Sequence, residues 1–148
     1  MNKVAVAGIL AIIVLAGAVL YWYYQPESTG TVEFAGQRLT VDLAKTSSQW
    51  QEGLSGRASM AADHGMLFVF DHPDLWQFWM HGMEFPLDII WFNGNRSVVY
   101  FVQDLPTCPV NGCQTYSPPT AALYALEVNA GFVAAHNVSL GDTFSLTP

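Results

Sequence analysis

Residues 86–102, PLDIIWFNGNRSVVYFV, decide how the rest of the sequence is interpreted. Two apolar runs, 87–92 and 98–102, flank the tripeptide Asn93-Gly94-Asn95. Both runs are rich in β-branched and aromatic residues, and Asn-Gly between two such runs is a strong signal for a β-hairpin. The segment therefore predicts two antiparallel strands joined by a tight turn.

Similar apolar runs, separated by turn-forming residues, occur on both sides of this hairpin. They predict further strands over residues 32–35, 39–44, 66–70, 78–80, 123–128 and 143–146. Helices are few. Thr46, Ser47 and Ser48 are N-cap residue types before a short helix that Gly53 breaks, and residues 130–136 predict one or two further helical turns. We therefore predict a mainly β fold, α+β at most: a compact, mostly antiparallel β-barrel or jelly-roll-like domain with one or two short helices.

A long apolar segment precedes this domain. Residues 4–24 contain no charged residue, and as a helix they would span about 32 Å, enough to cross a bilayer. Lys3 precedes the run and an aromatic cluster at residues 21–24 ends it, which is typical of a membrane span with its N-terminus inside. We predict an anchor at residues 1–24, a linker at 25–30 and a single domain at 31–148 outside the membrane.

A cleaved signal peptide is the alternative for this segment. Ala16, Gly17 and Ala18 offer a cleavage site of small residues after an apolar stretch. Both interpretations export the domain, so we expect it to be periplasmic or extracellular.

The charge of the chain argues against nucleic acid as a partner. The formal net charge is -7, and only 11% of the residues are charged. An acidic surface repels phosphate backbones, and the sequence contains no basic stripe that would bind them. The expected partners are instead the membrane, through residues 4–24, and an envelope glycan or another protein.

Seven short motifs resemble a known family when they are taken together. They are GLSGR (53–57), GMLFVF (65–70), FWM (78–80), PLDIIWF (86–92), YSPP (116–119), ALEVNAG (125–131) and LGD (140–142). Their order resembles the bacterial and archaeal family named domain of unknown function 192, DUF192, over nearly the whole domain. The resemblance implies a compact β-rich fold and no established reaction. Arg57, Gly65, Gly131 and Gly141 lie in these motifs, and we expect structural roles for them.

This chain departs from the family pattern in two places. The residues after the Trp-Met pair are His81, Gly82 and Met83, where the family has a basic residue, Asn and Thr. The cysteine pair at Cys108 and Cys113 is also not part of that pattern.

Two acids, Asp88 and Glu127, lie inside apolar strand candidates. A carboxylate in a half-buried strand is costly unless it is paired or hydrogen-bonded, and Arg57 is the natural partner. One interpretation makes the two acids a catalytic acid/base pair of the kind that glycosidases use. The other makes one or both of them structural, and we favour it because no nucleophile or oxyanion motif accompanies them.

Aromatic residues are dense over residues 76–92 and offer a candidate binding surface. An exposed aromatic platform there would bind sugar rings or an apolar peptide, whereas core packing is the ordinary role of such residues. Strand alternation predicts that Phe78 and Met80 share one face and that Trp79 points to the other. The predicted binding residues are Trp76, Trp79, Asp88, Trp91 and Tyr116.

Histidine and methionine are interleaved over residues 60–83, which raises the possibility of a copper(I) site. The residues concerned are His64, His72 and His81 with Met60, Met66, Met80 and Met83. Thioether and imidazole ligands suit copper(I) outside the cytoplasm. Met66 and Met80 fall in apolar runs where methionine is usually core filler, however, so we predict no metal and no cofactor.

Cys108 and Cys113 are the only cysteines of the chain, and they lie in a loop rich in proline and glycine. An even pair in an exported domain usually forms a disulfide, and four intervening residues allow the required approach. We predict a Cys108–Cys113 bridge.

The function expected from these observations is a non-catalytic binding module of the cell envelope, with Asp88 as a polar contact at the rim of an aromatic cleft. A hydrolase that acts on a cell-surface glycan through Asp88 and Glu127 is the first alternative. A copper-handling protein is a weaker one.

Overall fold

The computed structural model describes residues 28–108 and 112–147. Nine strands and two short helices follow one another in these residues. The strands are β1 (Thr29–Phe34), β2 (Gln37–Ala44), β3 (His64–Asp74), β4 (Phe78–Trp79), β5 (Leu87–Phe92), β6 (Val98–Leu105), β7 (Thr115–Tyr116), β8 (Ala122–Asn129) and β9 (Ser145–Thr147). The helices are α1 (Ser47–Glu52), between β2 and β3, and α2 (Phe132–Ala135), between β8 and β9. The prediction of a mainly β fold with short helices is confirmed.

The strands form one seven-stranded sheet in the order β6-β5-β8-β3-β2-β1-β9, together with a two-stranded ribbon of β4 and β7. The pairing is antiparallel except between β2 and β3, which run parallel. A parallel pair needs a crossover connection, and α1 with the loop after it supplies that connection.

The prediction of a barrel was wrong. β9 has three residues and pairs with β1, while β6 pairs with β5, so these two edge strands do not join in the described residues. A single bridge between Ser97 and Thr143 links the segments that precede them. Beyond this contact, no strand of the described part of the chain pairs with the outer side of β6, so the sheet stays open.

The sheet has a hydrophobic core on each face. One core contains Phe34, Leu67, Ile90 and Phe92 and is covered in part by α2 through Phe132 and Val133. The other contains residues of β3 and β5 such as Phe68 and Ile89, together with Phe78 of the ribbon. Alternation along β3 and β5 explains the division, because successive side chains point to opposite faces of a strand.

The capping of α1 fixes where this helix begins. Thr46 accepts a hydrogen bond from the backbone N–H of Gln49, and the Gln49 side chain accepts one from the backbone N–H of Thr46. This is the reciprocal capping box that stabilises helix N-termini. Gly53 follows the helix with a φ of +52°, a conformation that favours glycine, so the chain turns away directly after Glu52.

The predicted membrane anchor at residues 1–24 and most of the predicted linker lie outside the described residues. The last two linker residues, Thr29 and Gly30, belong to β1. Over residues 28–108 and 112–147, no helix has the length and apolar character needed to cross a bilayer.

Candidate functional site

A pocket of about 400 Å³ opens between α1 and the segment that leads into β4. Its base is made by side chains of β3 and β8, and its walls by α1 with its following turn and by the segment from Trp76 to Trp79. Of the residues that the structure describes, fifteen line it: Ser47, Trp50, Gln51, Glu52, Gly53, Leu54, Ser55, Phe68, Phe70, Trp76, Gln77, Phe78, Trp79, Met83 and Glu127. Its size lies in the range of small-molecule sites.

The aromatic walls of the pocket are held in place by ring contacts and hydrogen bonds. Trp76 stacks on Phe70 with ring centroids 4.2 Å apart, and Trp50 lies 5.4 Å from Trp76. The indole N–H of Trp50 donates to the carbonyl of Ala44 at 3.0 Å, and that of Trp76 donates to the carbonyl of His72 at 3.2 Å. Both indoles are therefore positioned before any ligand arrives.

Trp79 is the exposed aromatic residue of the pocket. Its side chain is 56% exposed, whereas Phe78 and Met80 are buried on the opposite face of the same segment. The structure thus places these three residues as strand alternation predicted. An exposed tryptophan at a pocket mouth offers a large rigid surface to a ligand.

Glu127 lies at the base of the pocket and is nearly completely buried. Its Oε2 atom has no hydrogen-bond partner in the described structure, and a Cβ built on Gly53 would lie 3.9 Å from this oxygen. Burial raises the pKa of the Glu127 carboxyl to about 8, although the nearby charge of Arg57 acts in the opposite direction. At neutral pH the pocket therefore contains a predominantly neutral carboxylic acid.

Arg57, whose charge acts on Glu127, forms an ion pair with a second acid. Its Nη1 atom lies 2.6 Å from Oδ2 of Asp42, and both side chains are partly buried. Asp42 pairs with Met66 across β2 and β3, and Met66 pairs with Glu127 across β3 and β8, so the two acids lie on one row of the sheet. The sequence predicted that Arg57 would pair with Asp88 or Glu127. The ion pair with Asp42 was not foreseen, and a contact of Arg57 with Glu127 or Asp88 stays a prediction, although the charge of Arg57 lowers the pKa of Glu127.

Asp88 has a structural position. It is fully buried and accepts hydrogen bonds from the backbone N–H groups of Asp104 and Val133, both at 2.8 Å, and of Gly131 at 3.3 Å. It thereby joins the end of β6 to the start of α2. The predicted role of Asp88 as a contact at the rim of the aromatic pocket does not fit this position.

Asp88 and Glu127 also do not form a pair. In the register of β5 and β8, Glu127 is opposite Ile89 and Asp88 is opposite Val128. Ile89 belongs to the core on the pocket side, and Val128 belongs to the core on the other side. The two carboxyl groups therefore point to opposite faces of the sheet, and an acid/base pair made of these two residues is incompatible with the fold.

Trp91 and Tyr116 do not line the pocket but support its wall. Trp91 is fully buried, and its indole N–H donates to the carbonyl of Trp76 at 3.1 Å. Tyr116 in β7 pairs with Phe78 in β4. Both residues were predicted to bind a ligand, and in the structure each contacts the segment that carries Trp76 to Trp79.

Three glycines predicted to be structural occupy positions with little room for a side chain or with a backbone that favours glycine. A Cβ on Gly65 would lie 2.8 Å from the backbone oxygen of Glu127, so β3 and β8 approach closely only because Gly65 has no side chain. Gly131, at the N-cap of α2, has a φ of +88°, and Gly141 has a φ of +91°.

The histidines and methionines considered for copper are dispersed. His64 and His72 are exposed and contact Asp63 and Asp71, respectively. Met66, Met80 and Met83 are buried in the core on the pocket side. Within the described residues, no group of three or more His, Cys, Asp or Glu side chains is arranged to hold a metal ion.

The predicted disulfide is confirmed. Cys108 and Cys113 are bonded, with Cα atoms 5.5 Å apart. The bridge lies between the end of β6 and β7, and Cys108 packs against the core on the pocket side.

Sequence reasoning missed one wall of the pocket. Trp50, Gln51, Glu52 and Gly53 line it from α1, yet none of them was proposed as a binding residue. The predicted helix at this point was itself correct. The missing information was that the parallel crossover from β2 to β3 places α1 over the aromatic residues of β3 and β4.

Comparison with known proteins relates this fold to uncharacterised relatives. The model of the DUF192 family, described as "Uncharacterized ACR", matches residues 30–146. A structure from Sinorhizobium meliloti 1021, described as a "putative transcription regulator", is 30% identical with a TM-score of 0.73, over 81% of this chain and 95% of that one. A protein of unknown function from Novosphingobium aromaticivorans DSM 12444 is 28% identical with a TM-score of 0.68, over 79% and 83% of the two chains. No curated protein is significantly similar to this chain.

Proposed function

This chain belongs to the DUF192 family, and we propose that its domain is a non-catalytic, extracytoplasmic module that binds a small ligand in the aromatic pocket. One observation carries the proposal. A buried carboxyl oxygen of Glu127 has no hydrogen-bond partner and lies at the base of a pocket with aromatic walls. A buried polar atom without a partner costs free energy, so a ligand whose polar or charged group compensates this carboxyl gains part of that free energy on binding.

The location in the envelope is part of the same proposal. The apolar run at residues 4–24, with Lys3 before it, supports a single-pass anchor with the domain outside. The Cys108–Cys113 bridge supports an oxidising compartment. Fusion of a reporter that is active only in the cytoplasm to Pro148 tests this, and we expect no reporter activity. An active reporter would contradict the proposed topology.

The Sinorhizobium meliloti structure is described as a transcription regulator, but we do not propose that this chain binds DNA. Arg38 pairs with Glu33, and Arg57 pairs with Asp42. Arg96 lies over the ring of Phe144, so the few basic side chains of the domain are spread over separate sites. Phosphate contacts need clustered basic groups, which favours a small-molecule or protein ligand instead.

Ligand binding can be tested by titrating envelope glycan fragments into the protein while tryptophan fluorescence and NMR shifts are recorded. We expect shifts at the indoles of Trp76 and Trp79. Trp79→Ala should weaken binding at least about tenfold, because an aromatic anchor contributes on the order of 1–2 kcal/mol or more. Leu140→Ala is a matched control, since Leu140 is an exposed apolar residue outside the pocket. Equal loss in both variants would contradict the proposal.

An enzyme is the second candidate, and the raised pKa of Glu127 favours it. A carboxylic acid that stays protonated at neutral pH in an apolar pocket has the property required of a general acid. Glu52, which also lines the pocket, would then be the second carboxylate in place of Asp88. Turnover of a glycan substrate that is lost in Glu127→Gln would establish this activity and contradict the non-catalytic proposal.

A further inference from the structure

We propose that the pocket selects an organic ammonium ion, whose positive charge lies over the carboxyl group of Glu127 at the base and whose alkyl groups contact the aromatic walls. This inference rests on the proposed binding function and narrows its ligand class. It follows from the charges of the lining residues, from the apolar surface around them and from the charge balance behind Glu127.

The charged residues that line the pocket are both acidic. They are Glu127 at the base and Glu52 at the end of α1, and no Lys, Arg or His of residues 28–108 and 112–147 lines the pocket. Gln51, Glu52 and Gly53 also bring the C-terminal end of α1 to the pocket, where the helix dipole is negative. Negative charge on these carboxyl groups and at the end of the helix repels a carboxylate or phosphate ligand and attracts a cation.

The walls suit the alkyl part of such a cation. Trp50, Phe70, Trp76, Phe78 and Trp79 all line the pocket, and they present far more apolar than polar surface to it. A metal ion needs several ligands arranged around it, and in the described part of the chain no three His, Cys, Asp or Glu side chains are so arranged. An alkylammonium ion instead gains from burial of its methyl groups and from attraction to the π-systems of the rings.

Taken together with Arg57 and Asp42, an ionised Glu127 leaves a net negative charge, so one further positive charge would balance these three groups. Arg57 from the loop after α1 is ion-paired with Asp42 from β2, so its charge compensates Asp42 as well as lowering the pKa of Glu127. Glu52 faces the pocket from α1, whereas β3 and β5 contribute apolar side chains such as Met66, Phe68 and Ile89 beside Glu127. An ionised Glu127 thus carries a charge that is only partly compensated, and burial raises the pKa of its carboxyl group to about 8.

A bound ammonium ion supplies the missing charge. At neutral pH the carboxylic acid of Glu127 then loses its proton to solvent, and the resulting carboxylate forms an ion pair with the ligand. No covalent bond forms, and one proton is released for each ligand bound. A neutral ligand that accepts a hydrogen bond from Glu127 would instead require the Glu127 carboxyl group to stay protonated. Binding of such a ligand would therefore release no proton.

The test uses choline and its uncharged isostere 3,3-dimethyl-1-butanol, with binding measured by calorimetry and tryptophan fluorescence between pH 6 and pH 9. We expect choline to bind at least about tenfold more tightly than the isostere, which corresponds to about 1.4 kcal/mol. The affinity for choline should rise about tenfold per pH unit below the pKa of Glu127 and level off above it. Choline keeps its charge over this range, so the pH dependence reports on the protein.

Glu127→Gln is the decisive variant because it keeps the shape of the side chain and removes its charge. We expect it to lose choline affinity at least tenfold at pH 8.5 and to lose the pH dependence. Glu84→Gln, which changes an exposed acid outside the pocket, should leave both unchanged.

Three results would overturn the ammonium inference. They are equal binding of the two probes, unchanged choline affinity in Glu127→Gln, and no binding of either probe. The proposed binding function is tested separately. It would be contradicted if no ligand of any class shifted the indole signals of Trp76 and Trp79.

Discussion

Asp88 and Glu127 lie one residue out of register on the neighbouring strands β5 and β8, and they point to opposite faces of the sheet. This offset gives them different environments. Asp88 accepts hydrogen bonds from three backbone N–H groups, whereas Glu127 has an oxygen without a partner beside an aromatic pocket. The fold satisfies the carboxylate of Asp88, whereas it leaves one oxygen of Glu127 without a hydrogen-bond partner at the base of the pocket.

We expect Asp88→Asn to destabilise the domain by roughly 2–3 kcal/mol, because the amide replaces a charged acceptor and turns an N–H group toward backbone donors. Urea unfolding measures this difference. Asp71→Asn is the control, since Asp71 is exposed and contacts the exposed side chain of His72. A cost no larger than that of the control would show that the three backbone contacts of Asp88 contribute little.

Glu127 makes the stability of the domain depend on pH. Its pKa is about 8 in the folded protein against an ordinary value of 4.5, so the folded state holds the proton more tightly than the unfolded state. Stability is therefore full below about pH 4.5 and decreases as pH rises through this window, by roughly 3 kcal/mol between pH 5 and pH 8. This contribution should vanish in Glu127→Gln. A variant whose unfolding free energy retained the same decrease would show that another group is responsible.

Gly65 should not tolerate a side chain. Because a Cβ at this position would lie 2.8 Å from the backbone oxygen of Glu127, Gly65→Ala must push β3 away from β8. We expect a loss of about 1–3 kcal/mol in the free energy of unfolding. Gly94→Ala is a suitable comparison, since the added methyl group would lie 3.8 Å from the nearest side-chain atom. Similar losses in the two variants would mean that the strands accommodate the methyl group.

The hairpin of β5 and β6 and the capped helix α1 were predictable because their signals are local. Asn93 and Gly94 form the turn, and Thr46 with Gln49 forms the capping box. The open sheet was not predictable from such signals. It depends on the parallel pairing of β2 with β3 and on the length of β9, which are set by contacts between distant segments.

The candidate site was predictable only in part for the same reason. Trp76 and Trp79 were singled out because aromatic residues are dense around them. Glu127 was singled out because it is an acid inside an apolar strand. The face to which Glu127 points depends on the register between β5 and β8, and a shift of one residue would have placed it beside Asp88. Glu52 looked like an ordinary residue of a solvated helix, and only the crossover from β2 to β3 places it at the pocket.

The disulfide offers a test of how the pocket wall is held. One residue separates Cys113 from the start of β7. β7 in turn pairs with β4, which contains Phe78 and Trp79. In the described structure, β7 is the strand that pairs with β4. The position of the pocket wall formed by β4 therefore depends on the loop before β7, which the disulfide closes. Removing the bridge should therefore affect both stability and binding.

We expect the double variant Cys108→Ser, Cys113→Ser to lose about 2 kcal/mol of unfolding free energy, as the chain-entropy account gives for so small a loop. Trp79 and Tyr116 should become more accessible to a collisional fluorescence quencher, because the pairing of β4 with β7 is loosened. Trp91 serves as the internal reference, since it is fully buried in the core and its exposure should not change. Mass spectrometry of the alkylated wild-type protein without reduction must show no blocked thiols. If the variant loses stability while the quenching of Trp79 is unchanged, the bridge stiffens its own loop alone and the pocket wall is held by its core contacts.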